Sequence, residues 1–261
     1  MKKNKRSDKF FAVTFIFLFT ACSALVIFHA PRAMSEKENR TLAQFPKFSF
    51  SSIADGSFMD GFESYAADQF RWRDRAVTLK ADIEKLIGKK DNNGIYFAKD
   101  NYLIQRSDRF SDSVLSPNMD SIVNMSALDE YNITVASVPT AFEILKDKLP
   151  DHVYDDRISR VQNYIYGSLD GWVNVCDTTQ ILNEHKDDYI FYRNDHHQTS
   201  LGSYYVYQAL GPYLGYQPYT LDSFDREIMS DSFLGTTWSK ASISSAEPDT
   251  IEKFTLKNAN I

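Results

Sequence analysis

The chain has 261 residues, is 43% hydrophobic and carries a formal net charge of −6, so it can bury a sizeable core without cross-links. The acidic balance argues against nucleic acid and against an anionic lipid surface as partners of the folded part. Its two cysteines, Cys22 and Cys176, fall in different segments, and no disulfide inside the folded domain is expected.

The first nine residues set Lys2, Lys3, Lys5, Arg6 and Lys9 against Asp8, a local charge of +4 that leaves −10 on the remainder. Residues 10–30 hold no Asp, Glu, Lys or Arg, which is long enough to cross a bilayer at roughly 20 apolar residues per span. A basic flank before the run predicts the N-terminus inside and the rest outside the cytoplasm. A cleaved signal peptide is the rival, with "LFTAC" faintly resembling a lipoprotein cleavage site before Cys22. Signal peptides usually carry an apolar region of only ~7–15 residues, so the length favours an uncleaved anchor. The expected organisation is therefore a cytoplasmic basic segment (1–9), a transmembrane signal anchor (10–30), an extracytoplasmic stalk (31–57) and one domain over 58–261.

Within that domain Phe58, Phe62 and Tyr65 share one helical face, as do Leu79, Ile83 and Leu86. "DQFRWRDR" marks a bend between the two helices, and Gly88 a stop. "GIYFAKDNYLI" reads as a hairpin about Asp100–Asn101. A helix is expected over 117–130, with Pro117 in its first turn. Strands are expected at 132–138, 172–176 and 189–193. Helices are expected at 141–149, 156–169, 178–185 and 199–213, and "TIEKFTL" is a further strand. Strands alternating with helices predict an α/β domain with a mostly parallel sheet.

"YRNDHHQTSLGSYY" holds two of the five histidines, next to an acid. Asp195, His196 and His197 fall in the turn between the expected strand 189–193 and a helix capped by Thr199 or Ser200. That is the strand end where α/β sheets bind ligands. Residues two apart can point the same way, so Asp195 can orient the His197 imidazole and leave its other nitrogen to take a proton from a nucleophile. The plainer reading is structural: the acid caps the helix and the histidines bond to backbone. A metal site would need further ligands, for which only His185, Asp187 and Asp188 are near in sequence, and no spaced zinc motif is present. Tyr204, Tyr205, Tyr207 and Tyr213 invite carbohydrate stacking. Leu201, Tyr205, Ala209 and Pro212 instead describe a packing face. Arg71, Arg73 and Arg75 could grip an anionic sugar or form a solvated face.

The D-H-H-Q-T-S-L-G run resembles the signature of the DHHW family of exported, membrane-anchored bacterial proteins, with Gln198 in place of the Trp of Asp-His-His-Trp. "ENRTLAQFPKFSF" and "FMDGFESYAADQFRWRDR" resemble the N-terminal region that this family shares with the alginate O-acetyltransferases. The hairpin segment and "VASVPTAFEILKDKLP" extend the resemblance over about residues 38–250. It implies an SGNH-hydrolase-like (flavodoxin-like) three-layer sandwich, and no cofactor and no metal are expected. It assigns His197 as general base and Asp195 as its orienting acid, leaving His196 at a variable position. The implied function is an extracytoplasmic O-acyltransferase or acetylesterase acting on envelope polysaccharide and supplied by a membrane acyl-donor protein. The relatives' serine stands in a Gly-x-Ser-Tyr-like turn downstream of the pair, and nothing of that form follows Leu201. "GTTWSKAS" offers only Ser239, read as a surface loop. The chain is thus expected to be C-terminally incomplete, with its serine beyond Ile261. The alternative is a non-catalytic membrane-anchored envelope protein that binds glycan or a partner protein.

Overall fold

A computed structural model of the chain describes residues 5–27, 30–35, 37–38, 40–106, 112–128, 131–153 and 157–257. Lys2 and Lys3 of the basic segment, residues 28–29 of the expected span and the ends of the helices expected at 117–130 and 156–169 lie outside these residues. The chain divides into two units, Met1–Lys80 and Ala81–Ile261.

The first unit holds helix α1 (Lys5–Ile27), a short antiparallel ladder of β1 (Met34–Ser35) with β2 (Arg40–Thr41), and helices α2 (Phe50–Ala54) and α3 (Ser57–Gln69). Helix α1 begins inside the basic segment, so its first turns include charged residues, and the uncharged run extends past its end. No helix among the described residues is long and apolar enough to cross a membrane. Residues 31–57, expected as a stalk, carry β1, β2 and α2 here. The predicted face of α3 is real: Phe58, Phe62 and Tyr65 each meet Phe45 edge-on, at ring separations of 6.2, 6.0 and 5.3 Å. Edge-to-face geometry suits the ring quadrupoles.

At the arginine-rich bend Arg73 is taken up by ion pairs within the unit. Arg40 forks onto Asp68 at 2.6 and 2.9 Å and reaches Glu38 at 2.7 Å, while Arg73 binds Glu38 at 2.6 Å. Ala43 N–H adds a third donor to Asp68, at 2.8 Å. Gln69, almost fully buried, ties Arg32 N–H and the Arg32 and Ala43 carbonyls together. The acids and arginines of the two N-terminal motifs thus bind each other, which leaves Arg73 engaged in structure.

The boundary between the units falls within α4 (Arg73–Leu86). The second unit then runs through an antiparallel meander of β3 (Asp91–Asn92), β4 (Ile95–Phe97) and β5 (Leu103–Gln105). The expected hairpin is β4–β5, whose turn places Asp100 and Asn101 at φ of 56° and 61°, a region that Asp and Asn tolerate best after glycine. Helix α5 (Asp112–Ser126) starts a turn earlier than expected, with Pro117 inside it. Strand β6 (Thr134–Ser137) pairs parallel with β7 (Asn174–Asp177), with α6 (Ala141–Ile144) and α7 (Arg157–Leu169) between them. Then come α8 (Thr179–Glu184), α9 (Ser200–Leu214), β8 (Phe224–Phe233), α10 (Thr236–Ala241) and β9 (Asp249–Leu256).

The chain is therefore α/β, but among the described residues β6–β7 is the parallel pair and every other pair is antiparallel. The expected strand over 189–193 makes a single bridge, Phe191 to Gln198. Its backbone is spent on closing its own turn, with Thr199 N–H on Ile190 O at 3.0 Å and Tyr192 N–H on His197 O at 3.3 Å. Phe142, Ile144, Leu182, Ile190, Phe191 and Tyr204 lie together in the main core.

The Asp68 carboxyl is held down at about 2, chiefly by the Arg40 fork, against the opposing effect of burial. An unfolded Asp titrates near ~4, so this group stabilises the native state above that pH, and its contribution fades as pH falls from about 4 to about 2. Asp68→Asn is expected to cost about 2 kcal/mol at pH 7. In urea titrations followed by circular dichroism, that difference from wild type should shrink toward pH 2.

Candidate functional site

The five residues from Arg193 to His197 turn back sharply between the Phe191–Gln198 bridge and β5, where Leu103 N–H meets Arg193 O at 2.7 Å. A tight turn leaves backbone N–H groups without ladder partners, and buried ones must find acceptors. Asp249, 1% exposed at the start of β9, accepts from Arg193 N–H at 3.0 Å and Asn194 N–H at 2.7 Å, and also from the Tyr189 hydroxyl. Burial and this carboxylate partner push the Tyr189 hydroxyl well above the usual phenol range. The fully buried Asn194 donates its side-chain amide to Glu247 O, while its own carbonyl accepts from Trp238 N–H at 3.1 Å.

Asp195 is 4% exposed and lies against the amino end of α10. Its Oδ2 accepts from Thr236 N–H at 2.8 Å and from the Thr236 hydroxyl at 2.9 Å. Its Oδ1 accepts from His197 N–H at 3.0 Å and contacts His197 Nδ1 at 2.5 Å. The first N–H groups of any helix lack internal partners and favour negative charge, and here the acid and the Asn194 carbonyl serve them. Gly235 makes the approach possible, since a Cβ there would stand 2.5 Å from Asp195 Cβ and Oδ2. Burial alone would raise the Asp195 carboxyl. The donors from Thr236 and His197 outweigh it and hold the group at about 2.

The two histidines share this acid by different routes. His197 bonds to it directly, which fixes Nδ1 as the protonated nitrogen by hydrogen-bond logic, and its ring is 69% exposed, so Nε2 can face an incoming group. His196 Nδ1 lies 2.8 Å from Thr236 Oγ1, whose own proton goes to Asp195. Burial and the nearby His197 lower the His196 imidazole below its usual value, against the pull of Asp195. The rings lie 3.9 Å apart. Among the described residues, the ligand atoms of Asp195, His196 and His197 come within 4.8 Å of one another, so these are the donors a cation would meet. His185 is elsewhere, paired with Asp188 at 3.1 Å and stacked on Tyr205 at 3.7 Å.

Asp195 and His196 also line a cavity of about 330 Å³ bounded by β5, the carboxyl end of β6 and one face of α7. The site thus uses Thr236, Gly235, Asn194 and Asp249, none of which stood out in the sequence. The signal that could have found the first two is the Gly-Thr pair opening a helix, where a buried carboxylate is at home. Ser239 lies inside α10, and among the described residues no serine hydroxyl reaches His197 within hydrogen-bond distance. Tyr204 and Tyr205 are buried packing residues of α9, with Tyr205 bonded to Asp188 at 2.8 Å, while Tyr213 is exposed.

The family model described as DHHW protein matches residues 94–260, which includes the whole of this site. The chain belongs to that DHHW family. A DHHW family protein from Eubacterium siraeum superposes with a TM-score of 0.52 at 23% identity, over 64% of this chain and 55% of that one. Bacillus cereus PatB1, in a structure with a sulfonyl adduct, gives 0.50 at 16% identity, over 62% and 56%. The O-acetyltransferase domain of Pseudomonas putida AlgJ gives 0.45 at 17% identity, over 62% and 64%. The chain spans 55% and 56% of the first two structures, and what it shares with them is the α/β fold. No curated protein matches it. In this DHHW chain Gln198, at the Trp position of the name motif, pairs by backbone with Phe191, and its buried side-chain Nε2 has no partner among the described residues.

Substitutions at two positions test the setting of the acid. Gly235→Ala forces Asp195 aside and is expected to cost about 1–3 kcal/mol, read by urea unfolding. Thr236→Val removes one donor and is expected to cost about 1 kcal/mol, whereas Thr236→Ser stays near wild type. Carbon-detected NMR should find the Asp195 carboxyl above its wild-type value of about 2 in Thr236→Val. An unmoved titration would mean that the hydroxyl does not stabilise the carboxylate.

Proposed function

We propose that Asp195 and His197 are the acid–base pair of an SGNH-like O-acyltransferase or acetylesterase that works outside the cytoplasm on envelope polysaccharide. The observation that carries this reading is the 2.5 Å contact between His197 Nδ1 and the buried, ionised Asp195, with the rest of the ring open to solvent. A carboxylate in that place holds the tautomer and stabilises the imidazolium that forms when the base takes a proton. His197 would deprotonate a serine hydroxyl. The serine would attack the acyl carbonyl and release the donor alcohol, and a sugar hydroxyl or water would then take the acyl group from the acyl-enzyme. That serine is not in contact with the pair among the described residues, and the proposal places it in a further part of the protein. We propose also that the basic N-terminus and α1, whose Phe11, Phe15 and Phe19 are exposed, attach the protein to a membrane.

A second reading is favoured by the same missing contact: a DHHW protein that keeps the fold and binds glycan or a partner protein without turnover. Hydrolysis of p-nitrophenyl acetate separates the two. If the pair is catalytic, His197→Ala and Asp195→Asn each lower kcat, by about ten-thousandfold where a serine is served in full, and both keep the wild-type circular dichroism. A His197→Ala variant that turns over as fast as wild type defeats the assigned roles. A wild-type protein without turnover that still retains polysaccharide selects the second reading.

A further inference from the structure

The turn from Asp195 to His197 carries more donors than its acid–base pair uses. That pair needs one imidazole, yet the second, His196, is brought to the same carboxylate: Asp195 Oδ1 lies 2.5 Å from His197 Nδ1 and 3.7 Å from His196 Nδ1. One ligand atom from each of the three residues lies within 4.8 Å of the other two. Two ligands of one tetrahedral Zn²⁺, each at ~2.0–2.2 Å from the metal, stand about 3.4 Å apart. The two nitrogen–oxygen separations straddle that spacing, so an ion would ease His197 outward and draw His196 inward, each by roughly 1 Å or less. Both rings can make the adjustment, since their side chains are 69% and 46% exposed.

The charges of the three groups suit the same occupant. Asp195 is a buried carboxylate, and an anion so far from water favours a counter-charge close by. The imidazole rings lie 3.9 Å apart, so protonating both sets like charges side by side. A divalent ion held by two neutral rings brings positive charge to the acid without that repulsion. Imidazole with carboxylate is a donor set of Zn²⁺ and its transition-metal neighbours, whereas Ca²⁺ and Mg²⁺ take oxygen ligands. Three protein ligands on a turn with exposed rings leave the fourth position to water, which is the arrangement of an open zinc site.

We infer that Asp195, His196 and His197 bind one divalent cation of the Zn²⁺ class, through Asp195 Oδ1 and the Nδ1 atom of each ring. The ion takes the place of the hydrogen bond between Asp195 Oδ1 and His197 Nδ1, and of the His196 Nδ1 contact with Thr236 Oγ1. Each neutral ring then carries its proton on Nε2, so no proton is released overall. Thr236 keeps its two hydrogen bonds to Asp195 Oδ2 and holds the acid in place, as outer partners of metal ligands do. With its lone pair on the metal and its proton on Nε2, His197 cannot accept a serine proton, and the ion blocks ester turnover. This regulatory consequence rests on the acid–base reading given above; the metal site stands without it.

The test is titration of the full chain with zinc chloride by calorimetry in a non-chelating buffer. Cobalt chloride serves as the spectroscopic substitute, and nitrogen NMR of the imidazole rings reads out the ligating atoms. One ion per chain should bind at this turn, with the visible Co²⁺ bands of a four-coordinate site and shifts of the His196 and His197 ring nitrogens. His196→Ala and His197→Ala should each weaken zinc binding at least about tenfold, the least that loss of an outer partner alone typically costs. Asp195→Asn should weaken it likewise; the two histidine variants, which keep the buried acid, carry the test if that variant does not fold. His185→Ala, whose ring pairs with Asp188, should bind as wild type does. No stoichiometric binding by the wild-type protein, or binding that neither the His196 nor the His197 variant weakens, overturns the inference. Zinc chloride should also suppress p-nitrophenyl acetate hydrolysis along the binding curve, with recovery on adding EDTA. Zinc binding that follows both histidines while the loaded protein still turns over sinks the acid–base reading alone. Turnover lost in His197→Ala, with no zinc bound by wild type, sinks the metal site alone.

Discussion

The carboxylate of Asp195, closed in against the first turn of α10, is the interaction on which the rest of the site depends. Four donated contacts converge on its two oxygens, two from Thr236 and two from His197. Each does two things at once. The N–H groups keep the acid ionised despite its burial, and the ionised acid in turn sets the position of each imidazole. The two histidines are then distinguished by what lies between them and the acid: nothing for His197, a threonine hydroxyl for His196. That difference leaves His197 directly oriented by the acid, while His196 lines the cavity.

The acid itself is placed by a second carboxylate. Asp249 binds the backbone N–H groups of Arg193 and Asn194 and so shapes the turn, while Asp195 acts through its side chain. The two acids divide the work of a short segment that could not satisfy its own backbone. The antiparallel pair β8–β9 delivers Asp249, and α10, between those strands, delivers Thr236. A stretch with little apolar patterning is thus what completes the site.

This explains which parts were legible in the sequence. The hairpin about Asp100, the helix from Ser200 with its Thr199 cap, and the Phe58–Phe62–Tyr65 face are set by neighbours a few residues apart, and the amino-acid pattern carries them directly. The Asp-x-His spacing carried the pairing of Asp195 with His197 for the same reason. Strand β8 was not legible, because "FDREIMSDSF" is mostly exposed and polar and pairs through its backbone. The strand expected at 189–193 was lost to a competing use of its backbone. Thr236 and Asp249 act across 41 and 55 residues, and no local periodicity reports contacts of that range. Strand β6 was foreseen by its β-branched residues and a parallel arrangement by the alternation of strands and helices, which β6–β7 shows, but a mostly parallel sheet was not found, since strand order is decided by long-range partners.

The dependence of the turn on Asp249 has a bearing on when the site comes into being. A chain emerging from its N-terminus presents Asp195 and both histidines well before α10 and β9 exist. Closing loops of 41 and 55 residues is entropically slower than forming the local hairpins and helices. Until α10 forms, Asp195 lacks its two Thr236 donors, and the contact of His196 with the Thr236 hydroxyl cannot be made. The full set of donors to Asp195 is therefore complete only when the C-terminal elements of the second unit are in place, so the geometry of this turn reports on the closure of α10 and β9.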